Sequence, residues 1–174
     1  GAKQIERGLQ AYQRLIELSL DDATEKQREA VSTGHLNLAQ ILFYTDRVDE
    51  SIEVLRSHIE RFAADETPEL QEAGANARQN LGLNLFHAGH PEEAESIYEE
   101  MFRRYMDAEL EGVHVCLSVA MDNYSEQLYD QERWQDLIGN VRNFVERFQD
   151  TQFELVTHTL AKNMYNLGIY EDEH

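Results

Sequence analysis

The sequence predicts an all-α protein of antiparallel helix pairs stacked side by side, with about eight helices in a single domain. The main observation is a repeat, because the chain aligns with itself after every 43 residues. Three columns of this alignment are clearest, one of asparagine, one of small residues and one of arginine: Asn37, Asn80, Asn123, Asn166; Ala39, Gly82, Ser125, Gly168; Arg61, Arg104, Arg147. A fixed period of this length is typical of stacked supersecondary units. Apolar residues at spacings of three and four identify those units as helices.

The middle repeat, 67–106, carries the clearest start and stop signals. Its first helix, which we call helix A, has Thr67 in the N-cap position and Pro68 at the first helical position. Gly89 ends helix A, because glycine readily takes the left-handed conformation found at helix ends. A second helix, helix B, starts at Pro91. Two helices joined by so short a turn must lie antiparallel and side by side.

The same pattern, moved by one period in each direction, predicts the other elements in order. The chain begins with a lone helix B at 3–20, and repeat 1 follows at 24–62. Repeat 3 occupies 110–148, and a terminal helix A at 152–170 has no helix B behind it. No run rich in Gly, Pro or Ser interrupts the chain, so we expect one domain, 1–174.

The composition restricts the possible partners. The formal charge of −19 opposes binding to a phosphate backbone or to an anionic lipid surface, so neither nucleic acid nor membrane is expected as a partner. No apolar run approaches the ~20 residues that span a bilayer. Cys116 is the only cysteine, which rules out an intramolecular disulfide and a multi-cysteine zinc site. We therefore expect a reducing compartment, the cytoplasm.

The middle repeat also resembles a known family. The residues that carry the resemblance to the tetratricopeptide repeat are Asn80, Leu81, Gly82, Leu85, Gly89, Ala94 and Tyr98. That family's pattern is W-x2-L-G-x2-Y, then A-x3-F, then P, over about 34 residues. Arg78, Leu85 and Met106 stand here in place of the Trp, Tyr and Pro. The longer period resembles the long bacterial and kinesin light chain-like repeats.

The resemblance implies a right-handed superhelical solenoid whose concave face, lined by helices A, binds an extended peptide or a partner helix. The chain is then a protein-binding scaffold. The groove positions that match are Asn37, Gln40, Tyr44, Asn76, Gln79, Asn80, Leu83, His87, Asp122, Asn123, Glu126, Asp130 and Asn166. Leu36, Phe43, Val119, Tyr129 and Lys162 lie along the same line.

Two interpretations of the asparagine column remain open. An Asn amide offers both a donor and an acceptor, so the column would hold the backbone of a bound segment. Alternatively, each Asn bonds a neighbouring helix or simply belongs to the repeat consensus. The acidic end of the groove, Asp122, Glu126 and Asp130, predicts a neutral or basic partner. The groove lacks the Lys and Arg of the chaperone-tail clamp, which argues against that activity.

No residue pattern predicts catalysis, a metal or a cofactor. His87, His90 and Glu93 have a loose metal-ligand spacing, but they flank a turn, so we expect solvent-exposed histidines. Cys116 lies in an apolar stretch without an obvious His partner and is expected to be a small buried hydrophobe. The chain is therefore predicted not to be an enzyme.

Two other functions compete with the scaffold. The terminal helix A carries more apolar surface than one helix B covers. Either a following helix B has been cut away or a second copy supplies the cover, in a homodimer through Phe153, Leu160, Tyr165 and Ile169. Alternatively, the repeats form a regulatory or sensor arm of a larger signalling or transcription protein.

Overall fold

The computed structural model describes residues 2–18, 20–151 and 153–173, and in this part of the chain it contains eight α-helices and no strand. The all-α prediction is confirmed. The helices are α1 (Ala2–Ile16), α2 (Glu25–Tyr44), α3 (Val48–Arg61), α4 (Pro68–His87), α5 (Pro91–Tyr105), α6 (Glu111–Asp130), α7 (Trp134–Phe148) and α8 (Glu154–Glu173). Even-numbered helices occupy the predicted helix A positions and odd-numbered helices the helix B positions. The predicted start of α8 at 152, like residues 1 and 174 of the predicted domain, lies outside the described residues.

The three turns that join a helix A to its helix B have the same conformation. Each has one residue with positive φ in the same repeat column: Asp46 at 63°, Gly89 at 82° and Glu132 at 56°. The next residue donates its backbone N–H across the turn at 2.9 Å in all three cases, from Arg47 to Leu42, from His90 to Leu85 and from Arg133 to Leu128. This six-to-one bond is the Schellman closure of a helix end, so the period is preserved in backbone geometry as well as in sequence.

Contacts between helices follow the order of the chain. Each helix contacts its sequence neighbours, and α2, α4, α6 and α8 also contact one another in series. Within the described residues the backbones of the odd-numbered helices do not lie close to one another, and only side chains reach between them, as in the Arg56–Glu93 ion pair from α3 to α5. Helices A are thus the more closely spaced layer. Such nearest-neighbour contacts are expected of a stacked repeat array, and the right-handed superhelix stays a prediction.

One hydrophobic cluster runs along most of the array, from Ala39 in α2 to Leu160 in α8. Tyr98 of α5 and Tyr124 of α6 stack in it at a ring-centroid distance of 5.5 Å, which joins the second repeat to the third. The core is therefore spread along an axis. No helix in the described part of the chain is both long enough and apolar enough to cross a membrane.

The arginine column connects consecutive helices B near their C-terminal ends. The Arg61 guanidinium donates to the backbone carbonyl oxygens of Ile16 and Leu18 at the end of α1. Arg104 donates to the carbonyl oxygen of Ala63 at 3.2 Å, one repeat further along. Capping by Arg61 explains why α1 ends at Ile16, before the predicted end at residue 20, because carbonyl groups bonded to the guanidinium have no need of an intrahelical partner.

The terminal helix corrects one prediction. Leu160 is buried, and Phe153 is half-buried with its ring centroid 5.2 Å from that of His114 in α6. Both side chains pack into the core because α8 lies against α6 and α7. They are therefore not available for a homodimer surface. Tyr165 is exposed, and Ile169 is half-buried.

Candidate functional site

The first candidate site, which we call the aromatic cleft, lies between the C-terminal halves of α2 and α4. Its lining residues come mainly from these two helices: Leu36, Ala39, Gln40, Phe43, Tyr44, Ser51, Leu55, Asn80, Leu83 and Asn84. The cavity volume is about 60 Å³. Pockets for small-molecule ligands are several times larger, roughly 300–1,000 Å³. The cleft is therefore suited to the tip of a side chain rather than to a cofactor.

A rigid polar floor supports the aromatic cleft. Asn84 donates from Nδ2 to Ser51 Oγ at 2.7 Å, and Ser51 donates in turn to the carbonyl oxygen of Ala39, also at 2.7 Å. All three residues are buried. Because these groups satisfy one another, the floor holds its shape without a ligand.

The rim of this cleft is aromatic. Tyr44 is 77% exposed, and its ring centroid lies 5.8 Å from that of Phe43. The Phe43 ring also lies 5.4 Å from the His87 ring of the next helix A. On the opposite wall, Asn80 donates from Nδ2 to Asn76 Oδ1 at 2.7 Å. Asn80 Nδ2 also donates to the backbone carbonyl oxygen of Asn76 at 3.0 Å, so both amide N–H groups are used and the carbonyl oxygen of Asn80 is the atom available to accept a hydrogen bond from a bound segment.

A second candidate site, the charged cleft, lies between α6 and α8. It is wider and more open, with a volume of about 540 Å³, and it is lined by Asp122, Asn123, Ser125, Glu126, Tyr129, Lys162, Asn163 and Asn166. Lys162 Nζ lies 3.0 Å from Asp122 Oδ2, and Asn163 donates to the other carboxylate oxygen at 3.4 Å. The charge of Asp122 is thus compensated within the chain, and Glu126 is the exposed acid of this cleft.

Two α6 residues at the charged cleft have buried polar side-chain atoms. The hydroxyl oxygen of Ser125 has no hydrogen-bond partner among the described residues, whereas the side-chain amide of Asn123 faces the hydroxyl of Tyr98. A buried polar atom without a partner costs about 1–3 kcal/mol relative to one that is bonded. The cleft therefore retains unused hydrogen-bonding capacity on its α6 side.

The predicted groove residues separate into three groups. Those in the aromatic cleft are Gln40, Tyr44, Asn80 and Leu83. Those in the charged cleft are Asp122, Asn123, Glu126 and Asn166. The remaining residues line neither cleft: Asn37 and Asn76 are half-buried, Gln79 is buried, and His87 and Asp130 are exposed. The predicted continuous line is therefore divided into two clefts with different chemistry.

The asparagine column has no single role in the structure. Asn37 donates to Tyr12 Oη of the preceding helix at 3.3 Å, as expected if the asparagines bond neighbouring helices. Asn80 bonds Asn76 within its own helix, and Asn166 lines the charged cleft. One column thus serves packing at one repeat and borders an open cleft at another.

Cys116 and a group of three glutamates are candidates for chemistry among the described residues. Burial, together with the negative charge of Glu72, raises the pKa of the Cys116 thiol to about 12, so the thiol stays protonated and is a poor nucleophile. Carboxylate oxygens of Glu25, Glu29 and Glu69 lie within 4.8 Å of one another near the starts of α2 and α4. Within the described part of the chain, His87 and His90 belong to no such group and are exposed.

Sequence reasoning missed Asn163 and Ser125 in the charged cleft, and it missed the Asp122–Lys162 ion pair. A usable signal was present, because Lys162 follows Asp122 by nearly one period. In a stacked array, residues about one period apart lie on adjacent helices A. Opposite charges at that spacing therefore predict an inter-repeat ion pair.

No protein-family model matches the chain, and searches of curated proteins and of solved structures found no similar protein. The functional argument thus depends on the geometry of the two clefts.

Proposed function

We propose that this chain is a protein-interaction module of the tetratricopeptide-like class, which binds a segment of a partner protein in the aromatic cleft. The observation that carries the proposal is the large exposed ring of Tyr44 at the rim of a preformed cleft with a rigid floor. Large aromatic side chains that are already ordered contribute much contact area at low entropic cost, and they are common at binding hot spots.

The partner is expected to insert one apolar side chain and to present backbone N–H groups nearby. The half-buried Leu36, Phe43 and Leu83 provide apolar contacts, and the carbonyl oxygen of Asn80 accepts a hydrogen bond. Binding of this kind combines hydrogen bonds to the partner's backbone with a pocket for one of its side chains, as in other modes of peptide binding. The resemblance to tetratricopeptide repeats supports the proposal, since it places ligands on helices A.

The net charge favours a neutral or basic partner segment. At −19 the chain attracts cations at long range, and the exposed Glu126 and Asp130 on α6 extend this field toward the charged cleft. Asp122 contributes little to this attraction because Lys162 compensates it. We include a cytoplasmic location in the proposal, because the single cysteine fits a reducing compartment.

A displayed library of random peptides, selected against the whole chain, tests this proposal. Selected peptides are expected to lose about tenfold or more in affinity, which is about 1.4 kcal/mol, when Tyr44 is replaced by Ala. The matched control is Tyr165→Ala, because Tyr165 is similarly exposed at 72% but lies on α8, outside the aromatic cleft. Fluorescence anisotropy with labelled peptides gives both affinities. Equal affinities for the two variants, or no peptide enriched over an unrelated acidic protein, would rule the proposal out.

A further inference from the structure

The outward face of α8 exposes positions that are buried in every other helix A. Met164 is 54% exposed, whereas Met121, the same column one repeat earlier, is 2% exposed. Arg78 and His35, further back in this column, are buried as well. In α4 the column contacts its own helix B, since Arg78 Nη1 donates to Tyr105 Oη of α5 at 3.3 Å. The open face of α8 is therefore the face on which a helix B normally packs.

The face of α1 that points away from α2 is open in the corresponding way. Gly8 is in the column of Ser51, Ala94 and Leu137, which are fully buried in α3, α5 and α7. A Cβ atom added to Gly8 would meet no atom within 4 Å. Among the described residues, α1 packs along α2 alone and otherwise accepts only the Arg61 hydrogen bonds at its C-terminal end, whereas each of the other helices B packs along two helices A. No helix A among the described residues packs on this outer face of α1.

The repeat register makes these two faces complementary. Within the second repeat, Gly82 of α4 lies directly under the ring of Tyr98 in α5. Gly168 is in the column of Gly82, and Tyr12 is in the column of Tyr98. A second copy that continued the 43-residue register would place its Tyr12 over Gly168. A Cβ added to Gly168 meets nothing within 4 Å, so this space is free.

The net charges of α1 and α8 are opposite in sign, which also favours their contact. The α1 segment has three basic residues against one acidic residue, which makes it the only helix of the eight described with a net positive charge. The α8 segment has four acidic residues against one basic residue. In a chain with a net charge of −19, this pairing favours α1 over the other helices B as the partner of α8.

We propose that the chain self-associates head to tail, with α1 of one copy packed on the open face of α8 of the next copy. In this contact α1 occupies on α8 the position that α3, α5 and α7 occupy on α2, α4 and α6 within one chain. The contact is heterologous, so a dimer keeps one free face at each end, to which further copies add. Leu18 stands in the arginine column at this junction, so the junction lacks the guanidinium contact that Arg61 and Arg104 supply inside the array. Association between copies is therefore weaker than packing within the chain.

Analytical ultracentrifugation over micromolar to millimolar concentrations tests the association. Salt of about 0.15 M shortens the Debye length to about 8 Å and screens the repulsion between acidic chains. The weight-average mass is expected to rise with concentration past twice the monomer mass of 20.2 kDa. A wild-type chain that stays monomeric over the whole range would overturn the proposal.

Two variants, each altered at one face, identify the surfaces. Gly8→Glu and Met164→Glu place a charge on open faces, so both are expected to fold with unchanged circular dichroism and to remain monomeric alone. Gln10→Glu is the matched control, because it adds the same charge to α1 at an exposed position, and Glu53 and Ser96 in its column are exposed too. This control is expected to associate like the wild type.

Mixing the two variants distinguishes a head-to-tail contact from a symmetric one. Gly8→Glu retains a free α8 face and Met164→Glu retains a free α1 face, so an equimolar mixture is expected to reach twice the monomer mass and stop there. A mixture that stays monomeric contradicts the proposal. So does unaltered association of Gly8→Glu alone, which would indicate an α8-to-α8 contact between copies.

Discussion

The interior of the array and its end use the same residue columns with opposite results. A Cβ atom added to Gly82 in α4 would lie 2.5 Å from the Tyr98 ring, whereas one added to Gly168 in α8 would meet nothing within 4 Å. Met121 and Met164 differ in the same way. Residue type is identical in both comparisons, so burial here is decided by the presence of the next helix. Each pair is stabilised by its neighbours, as expected for a quasi-one-dimensional protein.

The largest expected effect is a loss of folding stability in acid, caused by the buried side chain of His58. Leu15, Met101 and Phe144 share a column with His58, which is fully buried and lies 2.8 Å from Ser32 Oγ through Nε2. Burial, and then the positive charges of His35 and Arg78, lower the pKa of His58 to about 3. In the unfolded chain the His58 imidazole binds a proton near pH 6.5. The stability that depends on neutral, buried His58 is therefore fully present above that pH and is lost as the pH falls toward 3.

This loss is expected to be about 1.4 kcal/mol per pH unit. Replacing His58 by Met, the residue in the same column of the second repeat, should therefore reduce the stability lost between pH 7 and pH 5 by about 2 kcal/mol. Urea denaturation of both proteins at the two pH values measures the difference. If both proteins lost the same stability on acidification, His58 would not be the acid-sensitive group.

The glycine pair gives the next largest effect. Gly82→Ala is expected to lower the free energy of unfolding by about 1–3 kcal/mol, because the methyl group displaces the Tyr98 ring. Gly168→Ala is expected to be neutral or to stabilise by up to about 1 kcal/mol, because alanine favours the helix. Chemical denaturation measures both changes. Equal effects at the two positions would refute the difference between interior and end.

The arginine column gives a smaller contrast. Arg61 bonds two backbone carbonyl groups of α1 and its C-terminal turn, whereas Arg147 pairs at 3.4 Å with Asp107, an almost fully exposed carboxylate. Arg61→Ala is expected to cost about 1–2 kcal/mol, since it leaves the end of α1 uncapped. Arg147→Ala should change stability by less than about 1 kcal/mol. Thermal unfolding of the two variants, compared with wild type, decides whether they differ as stated.

The turns give the smallest effect. Glu132 has a φ of 56°, in the column where Gly89 has 82°. A residue with a Cβ atom costs roughly 1–2 kcal/mol in this conformation. Glu132→Gly is therefore expected to stabilise the protein by about 1 kcal/mol, and Gly89→Ala to destabilise it by a similar amount. A shift in the denaturation midpoint of the same sign for both variants would contradict this account.

The period made the helix count and most helix ends predictable, because Pro68, Pro91 and Gly89 mark boundaries that recur after 43 residues. The end of α1 was not predictable, because it depends on Arg61, which lies 45 positions from Ile16. Sequence spacing alone also misplaced Leu160. It identified an apolar helix but could not show that this side of α8 faces α6 and α7.

The site was predictable only in part. Gln40, Tyr44, Asn80 and Leu83 meet in one cleft because neighbouring helices A place equivalent positions side by side. Gln79, one residue before Asn80, is buried. One step along a helix rotates a side chain by about 100°, so small errors in the assumed facing direction move a residue from the groove into the core.

Native-state hydrogen exchange tests most directly the central claim that each helix pair is stabilised only by its neighbours. Because neighbours support the interior on both sides, α4, α5 and α6 should exchange most slowly. Protection should then decrease step by step toward α1 and α8. A single opening free energy shared by all eight helices would show instead one common core and would contradict the account.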